Sequence, residues 1–277
     1  MEALALEVRG FCLGILRNGG LAHKLAPPPG DLRDDARGPA LRIRRPRRDA
    51  ELAFAPHAPR LPRPSRLDDA DARAACLARF AHHELMAVEL FAWALLRYPA
   101  LPGALRLGLL AALADEQRHC HLYLERLAAH GSTLGEHPLS DYFWRHEPAL
   151  AASHQGPRAF LCAMGLTLEQ ANLDFSLVYA EGFRAAGDEA SAQACELVQR
   201  DEIRHVRLAA EWLPQLGGPK DPIAAYEAAV PFPLEAARAK GRRFDAAARR
   251  DAGLAPEFVA YVRTARSNAE RNPRSRA

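Results

Sequence analysis

Valine and isoleucine are sparse in this chain, aromatic residues make up only 7%, and Ala, Leu, Arg and Glu dominate. Those propensities favour helix almost throughout and leave little material for a sheet. No apolar run reaches membrane-spanning length. The N-terminus carries Glu2 and Glu7 and lacks the basic start and small-residue cleavage site of a signal peptide, so the cytoplasm is the expected compartment and no membrane partner is expected. Cysteine is limited to Cys12, Cys76, Cys120, Cys162 and Cys195, an odd and scattered set without disulfide or metal-ligand spacing; reduced thiols are expected. The chain also has no GxSxG elbow, P-loop or dinucleotide glycine pattern, so serine hydrolysis and nucleotide-driven chemistry lack motif support. A net charge of +3 is too small to demand a polyanionic partner.

What remains is a chain of 277 residues, 49% hydrophobic, enough for one large all-α domain with extensions or for two small ones. Three segments suggest themselves: 1–66, a short helix and a Pro/Arg-rich strap; 67–215, a four-helix body; and 216–277, a helical extension with a basic tail. The N-terminal helix spans 1–18 and ends at Asn18-Gly19-Gly20. The strap contains Pro27-Pro28-Pro29-Gly30 and the run Arg42, Arg44, Arg45, Arg47 and Arg48. No aromatic interleaving accompanies that run in the sequence, so a solvated or intramolecular role is favoured and nucleic acid is not expected as a partner.

The first long helix should start at Asp68 or Asp69, whose carboxylates cap it, and stop at Tyr98-Pro99. Its inward stripe, Leu77, Phe80, Ala81, Val88, Phe91 and Leu95, contains Glu84. The second runs from Pro102-Gly103 to His130, closed by Gly131. Ser132 to Gln155 forms a long crossover. The third helix covers Pro157 to Ala186, and the fourth runs from a cap at Asp188 to Leu213, before Pro214. Further helices are expected over Leu234–Arg250 and Pro256–Ala265, with Ser267–Ala277 disordered.

The chemistry concentrates in Asp115-Glu116-Gln117-Arg118-His119, which recurs as Asp201-Glu202-Ile203-Arg204-His205. Positions i and i+3 share a helix face with Cβ atoms about 5–6 Å apart, so Glu116 with His119, and Glu202 with His205, can each chelate a metal. Carboxylate plus imidazole suits iron or manganese. Across the first turn, Glu84 and Glu116 are equidistant from position 100; across the second, Glu169 and Glu202 reflect about 185–186, which selects Glu169 over Glu181. The two hairpins thus form an internal repeat. Glu89 and Asp174 each follow the first Glu of their half by five residues, a rotation of about 140° that makes them supporting or structural acids. Asp115 and Asp201 are candidates to accept the free N–H of a ligating histidine, against a plain surface role. Tyr123 and Phe91, seven residues after Glu116 and Glu84, are candidates to line a pocket, with plain core favoured for Phe91. His82, His83, Cys120 and His121 do not make a zinc site, since His119 and His121 point about 200° apart.

His82-His83-Glu84-Leu85, Leu168-Glu169-Gln170-Ala171-Asn172-Leu173-Asp174, Ala185-Ala186-Gly187-Asp188 and the two DExRH stretches together resemble a bacterial ferritin-like family catalogued as a domain of unknown function, with short LExxxLD and DExxHV signatures. The resemblance implies a ferritin-like four-helix bundle of two helical hairpins, with Glu84, Glu116, His119, Glu169, Glu202 and His205 as ligands of two metal ions. It does not imply a reaction, because fold alone does not choose one. The expected function is a non-haem di-iron oxidoreductase that uses O2 to oxidise or hydroxylate a small organic substrate, served by an electron-donor protein and working as a monomer or homodimer. Fe–Mn and Mn–Mn pairs suit the same ligands. The alternatives are an iron-handling ferroxidase or storage protein, and a non-redox metal-stabilised scaffold with a basic RNA-binding strap.

Overall fold

A computed structural model describes residues 7–267, and among them it is helical with no strand beyond two isolated bridges, Glu7 with Arg33 and Phe54 with Leu139. The helices are α1 Val8–Arg17 and α2 Leu21–Leu25, α3 Ala70–Arg97 and α4 Gly103–Ala129, and α5 Glu147–Ala152 and α6 Pro157–Ala163. A π-helical segment, Met164–Glu169, follows α6 directly. Then come α7 Gln170–Ala185, α8 Glu189–Gln215, α9 Pro222–Ala229, α10 Ala246–Asp251 and α11 Pro256–Thr264. No helix among the described residues is long and apolar enough to cross a membrane. The chain divides into two compact units, one holding everything up to Pro148 together with Gly182–Ala194, the other holding Ala149–Glu181 and the chain from Cys195 onward.

In the first unit α3 and α4 pack along their lengths as a hairpin. Asp69 caps α3 by accepting from Asp71 N, and Gly131, at φ 72°, ends α4 in the left-handed conformation that a Cβ disfavours. The stripe read from the sequence is too narrow. Leu85, Met86, Leu90 and Trp93 are as buried as Leu77 and Val88, because α1, α2 and the strap cover the outer face of α3. The strap is pinned by backbone bonds: Val8 N to Arg33 O, Leu41 N to Leu96 O, Arg47 N to Leu16 O and Asp49 N to Gly19 O. Trp93 Nε1 donates to Ile43 O at 3.0 Å. Arg106, on α4, is buried and clasps Asp34 of the strap through two bonds of 2.6 and 2.7 Å.

The tightest fastening is at Glu89. Its fully buried carboxylate receives Lys24 Nζ at 2.9 Å, Arg48 through two nitrogens at 3.1 and 2.7 Å, and Trp144 Nε1 at 2.8 Å. Burial pushes the Lys24 ammonium below its ordinary pKa, and Glu89 opposes that shift. Arg48 also places Nη1 2.7 Å from His82 Nε2.

The second unit repeats this arrangement with the other end of the chain. Asp174, fully buried on α7, receives Arg249 at 2.7 and 2.9 Å and the backbone N–H groups of Gly241 and Asp245 at 2.8 and 2.7 Å. These bonds break the continuous helix that the sequence predicts over Leu234–Arg250. Two amides that a helix would turn along its own axis are drawn to Asp174 instead, leaving a 3-10 turn at Ala236–Arg238 and the short α10. One further departure concerns a helix end: α8 passes through Pro214 to end at Gln215. Residues 1–6 of the first expected helix and 268–277 of the expected disordered tail lie outside the described residues.

Glu89→Gln is expected to destabilise the protein by about 3–5 kcal/mol, the cost of leaving buried charges without their partner. Arg184→Ala, which removes an exposed ion pair with Glu189, should cost less than about 1 kcal/mol. Urea midpoints of the two variants make the comparison, and equal midpoints would contradict it.

Asp188 supplies a pH-dependent test. Its side chain caps α8 at Ser191 N and meets His130 Nε2 at 2.7 Å and Arg126 Nη2 at 3.3 Å. Burial alone would raise its pKa, but the Ser191 bonds, His130 and Arg126 together hold it below the usual value. The stabilisation it gives is therefore present above about pH 4 and is lost as pH falls through the lowered folded value. Asp188→Asn should flatten the fall in melting temperature below pH 4.

Candidate metal centre

Each unit gathers one carboxylate from one helix and a Glu/His pair from the next. In the first, Glu84 of α3 and Glu116 and His119 of α4 each present a ligand atom, and these atoms lie within 4.8 Å of one another. The hairpin explains why: residues equidistant from the Tyr98–Pro102 turn come to one level, and the i, i+3 pair presents a common edge. All three side chains are buried, Glu116 and His119 completely. His119 Nδ1 stands 3.7 Å from Glu116 Oε2.

In the second, Glu169, Glu202 and His205 lie within the same 4.8 Å limit and are likewise buried. Here the Glu/His pair is tighter, with His205 Nδ1 3.0 Å from Glu202 Oε2, and Asn172 Nδ2 donates to Glu202 Oε1 at 3.1 Å. Asn172 is the site residue to which the sequence alone assigns no role. Its signal is the helical spacing itself, since it follows Glu169 by three residues and shares its face. Position 87, the corresponding place in the first half, is alanine, so this donor belongs to one half only.

Glu169 closes the π-helical segment. That segment also carries Thr167, whose hydroxyl donates to Cys162 O at 2.7 Å and meets Tyr226 Oη at 2.7 Å. At Gly165 the segment approaches α8 so closely that a Cβ would collide with Ala209. A wide turn of this kind is frequent at functional sites. Nothing in the 3.6-residue periodicity predicts it.

The other candidates fall outside the triads. Asp115 pairs with Arg118 at 2.5 Å and Asp201 with Arg204 at 2.7 Å, so each DExRH stretch holds two interleaved i, i+3 pairs, Asp/Arg and Glu/His. Glu89 and Asp174 take the anchoring roles described above. Tyr123 is buried with its ring 5.3 Å from Phe80, and Phe91 is buried core. Glu181 is exposed and pairs with Arg243. Burial first, then Glu84 and Glu116, push the Cys120 thiol above its ordinary pKa, and it donates to Ala81 O at 3.2 Å.

A family model described as a protein of unknown function (DUF455) matches residues 20–260. The chain belongs to this family. No curated protein and no solved structure matches it. The DUF455 match covers both triads, both anchoring acids and nearly all of the strap.

The donor sets suit a divalent ion with a preference for oxygen and imidazole: two carboxylates and one histidine per triad, no sulfur, buried from solvent. Two carboxylates held that close repel each other unless a cation or a proton intervenes. Asn172→Ala, which frees one Glu202 oxygen from its donor, should weaken Co2+ binding by about 10–100-fold, as supporting bonds to ligands do. Calorimetric titration with Co2+ measures it, with unchanged helical circular dichroism as the control; undiminished affinity would remove Asn172 from the site.

Proposed function

We propose that the two triads close on a pair of metal ions within a ferritin-like four-helix bundle, and that the protein is a non-haem di-iron oxidoreductase acting on a small organic substrate with O2. The observation that carries this reading is the duplication in three dimensions: two buried Glu/Glu/His sets, each built from a lone Glu and an ExxH pair. Ferritin-like di-iron proteins draw a Glu from each of two helices and a Glu-x-x-His pair from each of the other two.

Glu84, Glu116 and His119 would hold one ion and Glu169, Glu202 and His205 the other. Iron held there would supply electrons for the reduction of O2. The chain supplies the surroundings. Glu116, His119 and Glu202 are fully buried, so water is kept from the centre and charge interactions there are strengthened. Asn172 orients Glu202 through its bond to Oε1, and Glu84 and Glu116 would supply further carboxylate oxygens to the ions. Asp115 and Asp201 are placed by sequence beside the ligands and are proposed to fix the imidazoles. Where the substrate gives fewer electrons than the reduction of O2 takes up, an electron-donor protein would supply the remainder.

Anaerobic loading with Fe2+ followed by exposure to O2 tests the reading. Two irons per chain and an absorption change that depends on O2 are expected, whereas no bound iron, manganese or mixed pair would end it. Glu116→Ala/His119→Ala should reduce metal content to one ion per chain or less; unchanged content would show that the metal sits elsewhere.

A further inference from the structure

In the Arg42–Arg48 run of the strap, four of the five guanidinium groups take no part in the triads or in the Glu89 anchor. Arg42, Arg44, Arg45 and Arg47 are exposed, while the next in line, Arg48, turns inward to Glu89. The backbone that carries them is fixed. Leu41 N, Ile43 O and Arg47 N are bonded to Leu96 O, Trp93 Nε1 and Leu16 O, so the segment is held at both ends and in the middle. These arginines therefore stand on a rigid ridge of the first unit rather than on a loose tail.

The charge on this ridge is not cancelled locally. Two acids face it: Asp141, which receives Arg45 at 3.5 Å and Arg145 at 2.8 Å, and Glu147, whose carboxyl is pushed up by burial and drawn back by Arg44 and Arg97. The fold also supplies what the linear sequence lacks beside the arginine run. Arg45 lies 5.8 Å from the centroid of Phe54, and Arg145 lies 5.6 Å from that of Tyr142, so two aromatic rings border the basic surface. In extended chain, residues two apart are separated by roughly 6–7 Å. Arg42 with Arg44, and Arg45 with Arg47, are such pairs, on either side of a bend at Arg44-Arg45.

We propose that this ridge docks single-stranded nucleic acid through its phosphates. A planar guanidinium fork matches a phosphate bidentately. A line of charges on an immobilised backbone fits a linear polyanion and costs little ordering when it binds. A lipid surface fits less well. The large hydrophobic side chains exposed among the described residues are Leu107, Phe175, Leu197 and Phe232, and none is on the strap. The sequence alone disfavours nucleic acid as a partner and keeps an RNA-binding strap as an alternative; the fixed backbone and the bordering rings favour that alternative for this surface. It stands independently of the metal reading.

The test uses the full-length protein and 5′-fluorescein-labelled oligo(dT) and oligo(U) of about 20 nucleotides, followed by anisotropy between about 50 and 200 mM NaCl. Neutralising four phosphates on a single strand predicts a slope of log K against log salt of about −3. R42A/R44A/R45A/R47A should weaken binding at least tenfold without changing the melting temperature or the metal content. Equal affinity of that variant, or binding indifferent to salt, overturns the proposal. Tighter binding to poly-L-glutamate, or to phosphatidylcholine vesicles containing phosphatidylglycerol, also overturns it and reassigns the surface to an acidic protein or a membrane.

Discussion

Two buried acids hold the ends of the chain against its long helices. Glu89 on α3 and Asp174 on α7 occupy matching places in the internal repeat, five residues beyond the first carboxylate of each triad. Each is answered by cations from a flanking extension: Lys24 from α2 and Arg48 from the strap, Arg249 from α10. An unanswered buried charge is among the costliest defects a fold can carry. The extensions are thus obligatory parts of their units, and the path of the strap, including the exposed arginines, follows from where Arg48 must end.

The same contrast separates two kinds of buried acid, Glu84 and Glu89 on α3, and Glu169 of the π-helical segment and Asp174 on α7. The anchoring acids meet guanidinium and ammonium groups, while the triad acids are gathered with each other and with imidazole. A helix turned through about 140° between the two positions keeps the two sets apart. One face of α3 therefore fixes the strap while another presents Glu84, and a substitution at Glu89 or Arg48 acts on the unit's stability before it reaches the triad.

Much of this was legible in the sequence, and the part that was not has a common cause. Asp69, Gly131 and Asp188 announced helix ends because caps act locally. Glu84 and Glu169 were found by reflection because a short turn fixes the level of residues on either side of it. By contrast, the break in Leu234–Arg250 depends on Asp174, more than sixty residues away, which captures Gly241 and Asp245. The inward turn of Arg48, alone among five arginines, depends on Glu89. Asn172 had the right spacing but a residue type too common to single out. Long-range partners of buried charges do not show in local pattern.

The π-helical segment gives the two halves of the repeat different mechanics. Glu84 sits inside an uninterrupted α-helix whose outer face is fastened to the strap. Glu169 ends a turn with i→i+5 bonding, where a single residue is accommodated in excess of the regular spiral. Removing that residue would rewind the turn to α geometry and rotate everything upstream by about 100°, while Glu169, Asn172 and Asp174 kept their mutual phase. One half of the repeat consequently mounts its first triad carboxylate on a regular α-helix and the other on a wide turn, so that two chemically matched Glu/Glu/His sets stand on unlike backbones.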